Sequence, residues 1–258
     1  MIVETEAVVL HSLHYSDSSK IVTLYTRKYG KIKIIAKGAR NQKNNKFGSS
    51  LEPMSIISVV VYKNEGKNLH LLSKSEIVTP LNRLQDGAEK MFTGLSLVEL
   101  VNMVMHDEEE NGPLFELLVE ALTTIDESSK NSLNVLISFL VLLFQHFGFE
   151  LNVESCYRCK RKTGQEVFVF GLLRLSDGKF TCSSCHEEEQ QSGVKLSGGI
   201  LKSLYYFQRN PVGKSVMLSL NPVMRDDLLA VLQSYLQYHI DSVRTLRSLS
   251  LLQSMGTQ

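Results

Sequence analysis

Four cysteines fall at 156, 159, 182 and 185, as two Cys-x-x-Cys pairs, and the chain contains no others. No other feature fixes as much of the fold. A two-residue gap lets both thiolates of a pair reach one ion from a tight turn. Two such pairs close a tetrahedral four-sulfur site, which suits Zn²⁺. The 22 residues between Cys159 and Cys182 must then run out and return to the same point. Four protein ligands leave no position for water or substrate, so Cys156, Cys159, Cys182 and Cys185 predict one structural Zn²⁺ per chain. Two disulfides need an oxidising compartment, to which nothing else in the chain points. A redox pair occurs singly, at a strand-to-helix junction. Free thiols are the remaining alternative, and His186 is a spare ligand beside Cys185. Residues 167–170 and 179–181 read as short strands, with Gly164, Gly171 and Asp177-Gly178 as turns, which makes a zinc ribbon.

Around this insertion the hydrophobic pattern changes character once. Residues 1–80 carry five β-branched runs, at 7–13, 21–26, 32–36, 56–62 and 69–75, separated by turn chemistry such as Ser16-Asp17-Ser18-Ser19 and Lys28-Tyr29-Gly30. Five strands in so short a span suit a closed barrel, an OB-fold first and an SH3-like barrel second. From Pro80 the period becomes helical, over 81–105, from Pro113, over 132–146, 196–208, 221–238 and 242–252. The 132–146 helix is apolar nearly all round and should be central. Asn221-Pro222 reads as an N-cap followed by a proline at the first helical position. The expected fold class is therefore α+β and multidomain: a five-stranded OB-fold β-barrel at 1–80, an all-α domain at 81–153 and 191–258, and a four-cysteine zinc ribbon inserted at 154–190.

At 43% hydrophobic residues, 258 residues can bury one large core or two to three small ones. The N-terminus lacks a basic region followed by an apolar one, so no signal peptide is expected. The apolar stretch 133–149 is interrupted by Asn134, Ser138, Gln145, His146 and Gly148, too polar for a membrane span. A cytoplasmic protein is expected. The net charge of +1 hides an asymmetry: residues 1–80 hold 12 Lys and Arg against 6 Asp and Glu. The stretch 27–46 contains Arg27, Lys28, Lys31, Lys33, Lys37, Arg40, Lys43 and Lys46 and no acidic residue, with Tyr25, Tyr29 and Phe47 nearby. A basic groove with aromatic platforms is what a single-stranded nucleic-acid site requires, because phosphates release counterions and bases stack. The competing reading is an ordinary solvated face, with Tyr25 in the barrel core.

Catalytic signatures are poor. There is no phosphate loop, no Gly-x-Ser-x-Gly elbow and no His-x-Glu paired with Pro-Cys-x-x-Cys, so no enzymatic activity is expected. The seven histidines form no His-x-x-x-His pair. Tyr205-Tyr206-Phe207, flanked by Lys202 and Arg209, predicts either core packing or a site for an acidic-hydrophobic peptide, with Lys202, Tyr206 and Arg209 as its contacts.

The residues 6–10, Tyr15 to Thr26, Gly30 and Lys37-Gly38-Ala39-Arg40, followed by helix, paired cysteines and helix again, resemble the bacterial RecO family of DNA repair and recombination mediators. Lys160 departs from the family pattern, in which glycine is frequent after the first cysteine pair. The resemblance implies binding to single- and double-stranded DNA and annealing of complementary strands. It also implies contact with the C-terminal tail of the single-stranded-DNA-binding protein and, with RecR, help in loading RecA at the nucleoid. It places DNA contacts on the basic barrel face, here Lys31, Lys33, Lys37, Arg40, Lys43 and Lys46. Two other functions fit the residues without the resemblance. One is a protein–protein adaptor that binds DNA weakly. The other is an RNA-binding zinc-ribbon protein.

Overall fold

The computed structural model describes residues 1–41, 46–64, 66–186, 193–241, 243 and 245–255. Lys43, the His186 side chain and the acidic run at 187–189 lie outside the described residues. Two compact units emerge, Met1–Glu127 with Leu246–Gln258, and Ser128–Thr245.

In the first unit, strands β1 (Ile2–Tyr15), β2 (Ser19–Thr26), β3 (Gly30–Ala36), β4 (Ile56–Tyr62) and β5 (His70–Thr79) form a closed barrel in the order β1-β2-β3-β5-β4. This is the OB-like arrangement and sets the SH3-like alternative aside. The long β1 serves two neighbours: Ile2 to Val8 pair with β4, and Ala7 to Tyr15 pair with β2. A register shift between Val9 and His11 lets the strand bend round the barrel. Alternation decides which side chains enter the core. On β3, Ile32, Ile34 and Ala36 point inward while Lys31 and Lys33 point out. The inward set joins Val9, Val22, Leu24, Ile57, Val59 and Leu72 in one cluster. Ile34 is fully buried, so Ile34→Ala should cost about 2–5 kcal/mol through lost transfer energy and a cavity.

Pairing between β3 and β5 is parallel and covers only Ile34↔His70 and Ile35↔Leu71. The first half of β3 therefore has a free edge, which is closed from elsewhere in the unit. Helix α1 (Ala88–Val104) is followed by the segment 105–111, and Asp107 bridges in parallel to Lys31. The Glu108 N–H donates to the Lys31 carbonyl at 2.9 Å. Helix α2 (Gly112–Glu127) then starts, with the Asn111 side chain accepting from the Leu114 N–H at 3.0 Å and Pro113 in its first turn. Helix α1 begins later than its apolar period suggests. Residues 80–87 include Pro80, Asn82 and Asp86-Gly87, which favour turns, and the Arg83 N–H donates to Asp126 at 2.6 Å.

The second unit centres on α3 (Leu133–His146), buried over almost its whole circumference. The side-chain amide of Asn134 donates to the carbonyls of Ser215 (3.2 Å) and Leu218 (2.7 Å). These belong to and follow a 3-10 turn at Val212–Met217. Strands β6 (Phe170–Leu173), β7 (Phe180–Cys182) and β8 (Val194–Ser197) form a sheet in the order β7-β6-β8, with the short α4 (Ser183–His186) after β7. Helices α5 (Gly198–Arg209) and α6 (Pro222–His239) complete this unit, and α7 (Arg247–Met255) packs on α1 in the first. Asn221 caps α6 as its position before Pro222 predicts, accepting from the Met224 N–H at 2.8 Å.

Two local expectations are corrected. The strand lies at Phe170–Leu173 and not at 167–170: Val167 and Val169 are exposed, and the sheet pairing begins at Phe170↔Ser197. Leu196 lies in β8 and not in a helix. Its spacing to Ile200 and Leu204 mimics a helical stripe, but Ser197 is the N-cap, accepting from the Ile200 N–H at 3.3 Å. Gly198 is needed there because a β-carbon would overlap the Phe168 carbonyl.

Candidate nucleic-acid interface and metal centre

The basic stretch of the barrel splits into two environments. In its first part Arg27, Lys31 and Lys33 are already paired, while Lys28 is exposed. Lys31 donates to the Asn102 carbonyl at 2.9 Å and lies 3.5 Å from Asp107, with 13% of its side chain exposed. Lys33 reaches the other Asp107 oxygen at 3.5 Å. Arg27 pairs with Glu6 at 2.6 Å and with Glu116, and its guanidinium lies 4.8 Å from the centre of the Phe115 ring. Glu108 spans the open edge, 3.3 Å from Lys63 and 3.5 Å from His70. His70 is almost fully buried and accepts from the Asn64 N–H at Nδ1. Burial is the main cause that holds its pKa below 6.5, Glu108 opposing and Lys63 assisting. Gly30 lets this acidic segment approach: its φ is +61°, and a β-carbon there would overlap the Glu109 backbone.

The second part lies at the opposite end of β3 and is open. Lys37 and Arg40 are exposed, and Lys46 lies 5.7 Å from the centre of the Phe47 ring. None of the three has a carboxylate partner among the described residues. Arg40 is tied to the β1–β2 turn: its N–H donates to the Ser18 carbonyl at 3.0 Å and its guanidinium to the Ser16 carbonyl at 3.1 Å. The turn thus fixes the direction of one cation while leaving its charge uncompensated. Aromatic partners differ from those expected. Tyr25 is fully buried and donates to the Asn111 carbonyl at 3.1 Å; burial, with Glu109 second, raises its pKa far above the usual value. Phe47 is in the core and Tyr29 packs against it beneath Lys63. The exposed ring at this rim is Tyr15, half accessible and next to Ser16. Sequence reading missed it; the signal was its place at the end of a strand, before a Ser-Asp-Ser-Ser turn.

In the second unit the four cysteine Sγ atoms all lie within 4.8 Å of one another, and Cys159 and Cys182 are 3.8 Å apart. A tetrahedron with 2.3 Å metal–sulfur bonds has edges of about 3.8 Å. Four soft donors at this spacing fit a metal ion. The Cys182 N–H donates to Cys156 Sγ at 3.3 Å, and Arg161 donates to Cys159 and Cys182 at 3.3 Å each. Burial raises the pKa of the Cys182 and Cys185 thiols, Cys185 to about 12, whereas for Cys159 the Arg161 hydrogen bonds overcome burial and bring the group to about 6. Four sulfurs gathered at one point could hold a metal ion.

On α5, Lys202, Tyr206 and Arg209 follow i, i+4, i+7 spacing and share one side. Tyr206 donates to the Lys214 carbonyl at 3.1 Å, and Arg209 pairs with Glu154 at 2.7 Å. Leu201, Leu204 and Phe207 on the other side are buried. No helix among the described residues is long and apolar enough to cross a membrane.

Comparison with known proteins covers this whole organisation. The family model described as Recombination protein O N terminal matches residues 1–81, and that described as Recombination protein O C terminal matches residues 86–249. The DNA repair protein RecO of Salinibacter ruber is 32% identical over 251 residues, 97% of this chain and 93% of that protein. That of Chloroherpeton thalassium is 28% identical over 251 residues, 96% of each chain. That of Alkaliphilus metalliredigens is 26% identical over 243 residues, 94% of this chain and 96% of its own. With both terminal models matched in order and relatives aligned from end to end, the chain belongs to the RecO family of DNA repair proteins.

Proposed function

We propose that this chain is a non-enzymatic recombination mediator that binds single- and double-stranded DNA and anneals complementary strands. With RecR, it helps load RecA onto DNA coated by the single-stranded-DNA-binding protein. The observation that carries the DNA-binding part is the open rim at the end of β3, where Lys37, Arg40 and Lys46 have no carboxylate partner among the described residues. Lys43 belongs to the same loop in sequence. Cations held there neutralise phosphates of two strands and lower their repulsion, and duplex formation is then downhill without nucleotide hydrolysis. Tyr15 offers a face on which an unpaired base stacks. Lys31 and Lys33 take part only where phosphate displaces Asp107.

Within this reading the four cysteines hold one Zn²⁺ as a staple of the ribbon at 154–190, and the ion supplies no chemistry to DNA. The barrel at 1–80 is the DNA-binding part. The helical segments at 81–153 and 191–258 meet the partners, the acidic tail of the single-stranded-DNA-binding protein lying along Lys202, Tyr206 and Arg209. A protein–protein adaptor is the second reading, favoured by the shared side of Lys202 and Tyr206 on α5.

The test is annealing of complementary oligonucleotides coated with the single-stranded-DNA-binding protein, without ATP. Acceleration is expected. Its absence, with normal binding to the coating protein's tail, would favour the adaptor.

A further inference from the structure

The first cysteine pair of the ribbon carries the run Tyr157-Arg158-Cys159-Lys160-Arg161-Lys162, four cations without an acid. Beside it lies a cavity of about 310 Å³ lined by Asn152, Glu154, Ser155, Tyr157, Lys160 and Lys179. Tyr157 is 47% exposed, yet three cations surround its ring: Lys179 at 4.6 Å, Lys160 at 5.0 Å and Arg174 at 5.8 Å from its centre. Such crowding has two ordinary explanations. Cations near a four-thiolate centre can balance its charge, and Arg161 does so through its bonds to Cys159 and Cys182. Cations can also pair with carboxylates, and Arg174 and Lys179 share Asp177, at 2.6 and 3.3 Å. Glu154 is taken by Arg209.

Neither explanation covers Lys160. Its ammonium contacts the Tyr157 ring, and it has no carboxylate partner among the described residues. Its backbone has φ +62°, the left-handed region that a side chain disfavours and glycine accepts. The turn needs that conformation, because the Lys160 N–H donates to the Cys156 carbonyl at 3.0 Å and the Cys156 N–H to the Arg161 carbonyl. A lysine is thus held where glycine would be easier, over an aromatic ring at the mouth of a polar cavity. Strain retained at an unpaired charge points to use.

We propose that this face of the ribbon is a second nucleic-acid contact, in which Lys160 and Lys179 hold one backbone phosphate at the cavity beside Tyr157. The walls favour phosphate over an acidic-hydrophobic peptide, since Asn152 and Ser155 supply polar groups and no aliphatic side chain lines the cavity. The proposal deepens the DNA-binding reading and rests on it, but it concerns a site independent of the barrel rim.

The discriminating substitution is Lys160→Gly, which removes the charge and relieves the backbone together. Binding of a labelled oligothymidylate to the full-length zinc-loaded protein is titrated against salt, with zinc content and Tm measured in parallel. Lys160→Gly is expected to bind about 3- to 5-fold more weakly, with a log–log salt slope shallower by about 0.7. Tm should be unchanged or higher and zinc fully retained. Lys160→Arg should restore most of the affinity. Unchanged affinity and slope in Lys160→Gly, while wild type binds and the barrel-rim variant Lys37→Glu, Arg40→Glu, Lys46→Glu binds far more weakly, would overturn the ribbon contact alone. Failure of wild type to bind would overturn both. Equal loss of zinc in the glycine and arginine variants would make Lys160 structural. Binding of an acidic peptide that is lost in Lys160→Gly, while oligonucleotide binding is untouched by that substitution, would assign the cavity to a peptide.

Discussion

The two ends of β3 carry nearly the same density of positive charge and have opposite fates. Lys31 and Lys33, at the first end, face Asp107 at 3.5 Å, and the Glu108 backbone is hydrogen-bonded to Lys31. Lys37 and Arg40, just past the last end, are exposed with no carboxylate among the described residues. The difference comes from the sheet. Because β3 and β5 pair only at Ile34 and Ile35, the first half of β3 must find another partner for its edge. The 105–111 segment supplies one and brings acid with it. A run of cations is therefore no map of a binding site until the segments that close the sheet around it are known.

Breaking the open end should give the largest effect. The variant Lys37→Glu, Arg40→Glu, Lys46→Glu is expected to lose on the order of a hundredfold in oligonucleotide affinity at low salt, because three phosphate contacts become repulsions. Its unfolding should be unchanged, as none of the three side chains is in the core. Annealing should fall with it.

The closed end can be pried open through its glycine. Gly30→Ala places a β-carbon at φ +61° against the Glu109 backbone. A cost of about 1–3 kcal/mol in unfolding free energy is expected, with faster hydrogen exchange at the Glu108 amide. A variant as stable and as protected as wild type would show that the acidic segment is not held by this approach.

Removing the acid should sharpen the comparison from the other side. Asp107→Asn with Glu108→Gln releases Lys33 and Lys63 from their carboxylates and leaves Lys31 only its bond to the Asn102 carbonyl, while keeping shape. Affinity for oligonucleotides should rise several-fold and the salt slope steepen by about one contact. Stability should fall by about 1–2 kcal/mol, since both carboxylates are half exposed while Lys31, Lys63 and His70 are mostly covered. An unchanged affinity would mean that the closed end faces no phosphate.

The smallest effect is one of pH. His70 has a folded-state pKa below its unfolded value of 6.5, mainly through burial. Its neutral form is the one the barrel holds, so its contribution is full above pH 6.5 and is lost as pH falls below it. Thermal unfolding from about pH 8 to about pH 5 should show this loss in wild type and a flatter profile in His70→Gln. Parallel profiles would remove His70 from the acid response.

Much of this was legible in the sequence where the signal is local. The five strands follow from β-branched runs between turn residues, Asn221 caps α6 as read, and the cysteine spacing brings four sulfurs to one point. What was hidden depends on distant partners. Asp107 and Lys31 are far apart in sequence, and Glu99 caps α7 by accepting from the Arg247 and Ser248 N–H groups at 2.9 and 3.0 Å. No spacing rule reports either. Leu196 misled for a different reason: a strand ending directly at a helix cap places apolar residues at helical intervals. The candidate site was thus half legible. Charge marked the stretch, and the exposed Tyr15 and the covered Tyr25 and Phe47 reversed which rings are available.

The most direct test of the contrast between the two ends is the salt dependence of single-strand binding in two alanine variants measured side by side. Lys37→Ala, Arg40→Ala, Lys46→Ala should make the log–log slope shallower by about 2, roughly 0.7 per lost contact. Lys31→Ala, Lys33→Ala should leave it within about 0.3 of wild type, because Asp107 already occupies those charges. The reverse pattern, a slope lost with Lys31 and Lys33 and kept without the rim cations, would contradict the account.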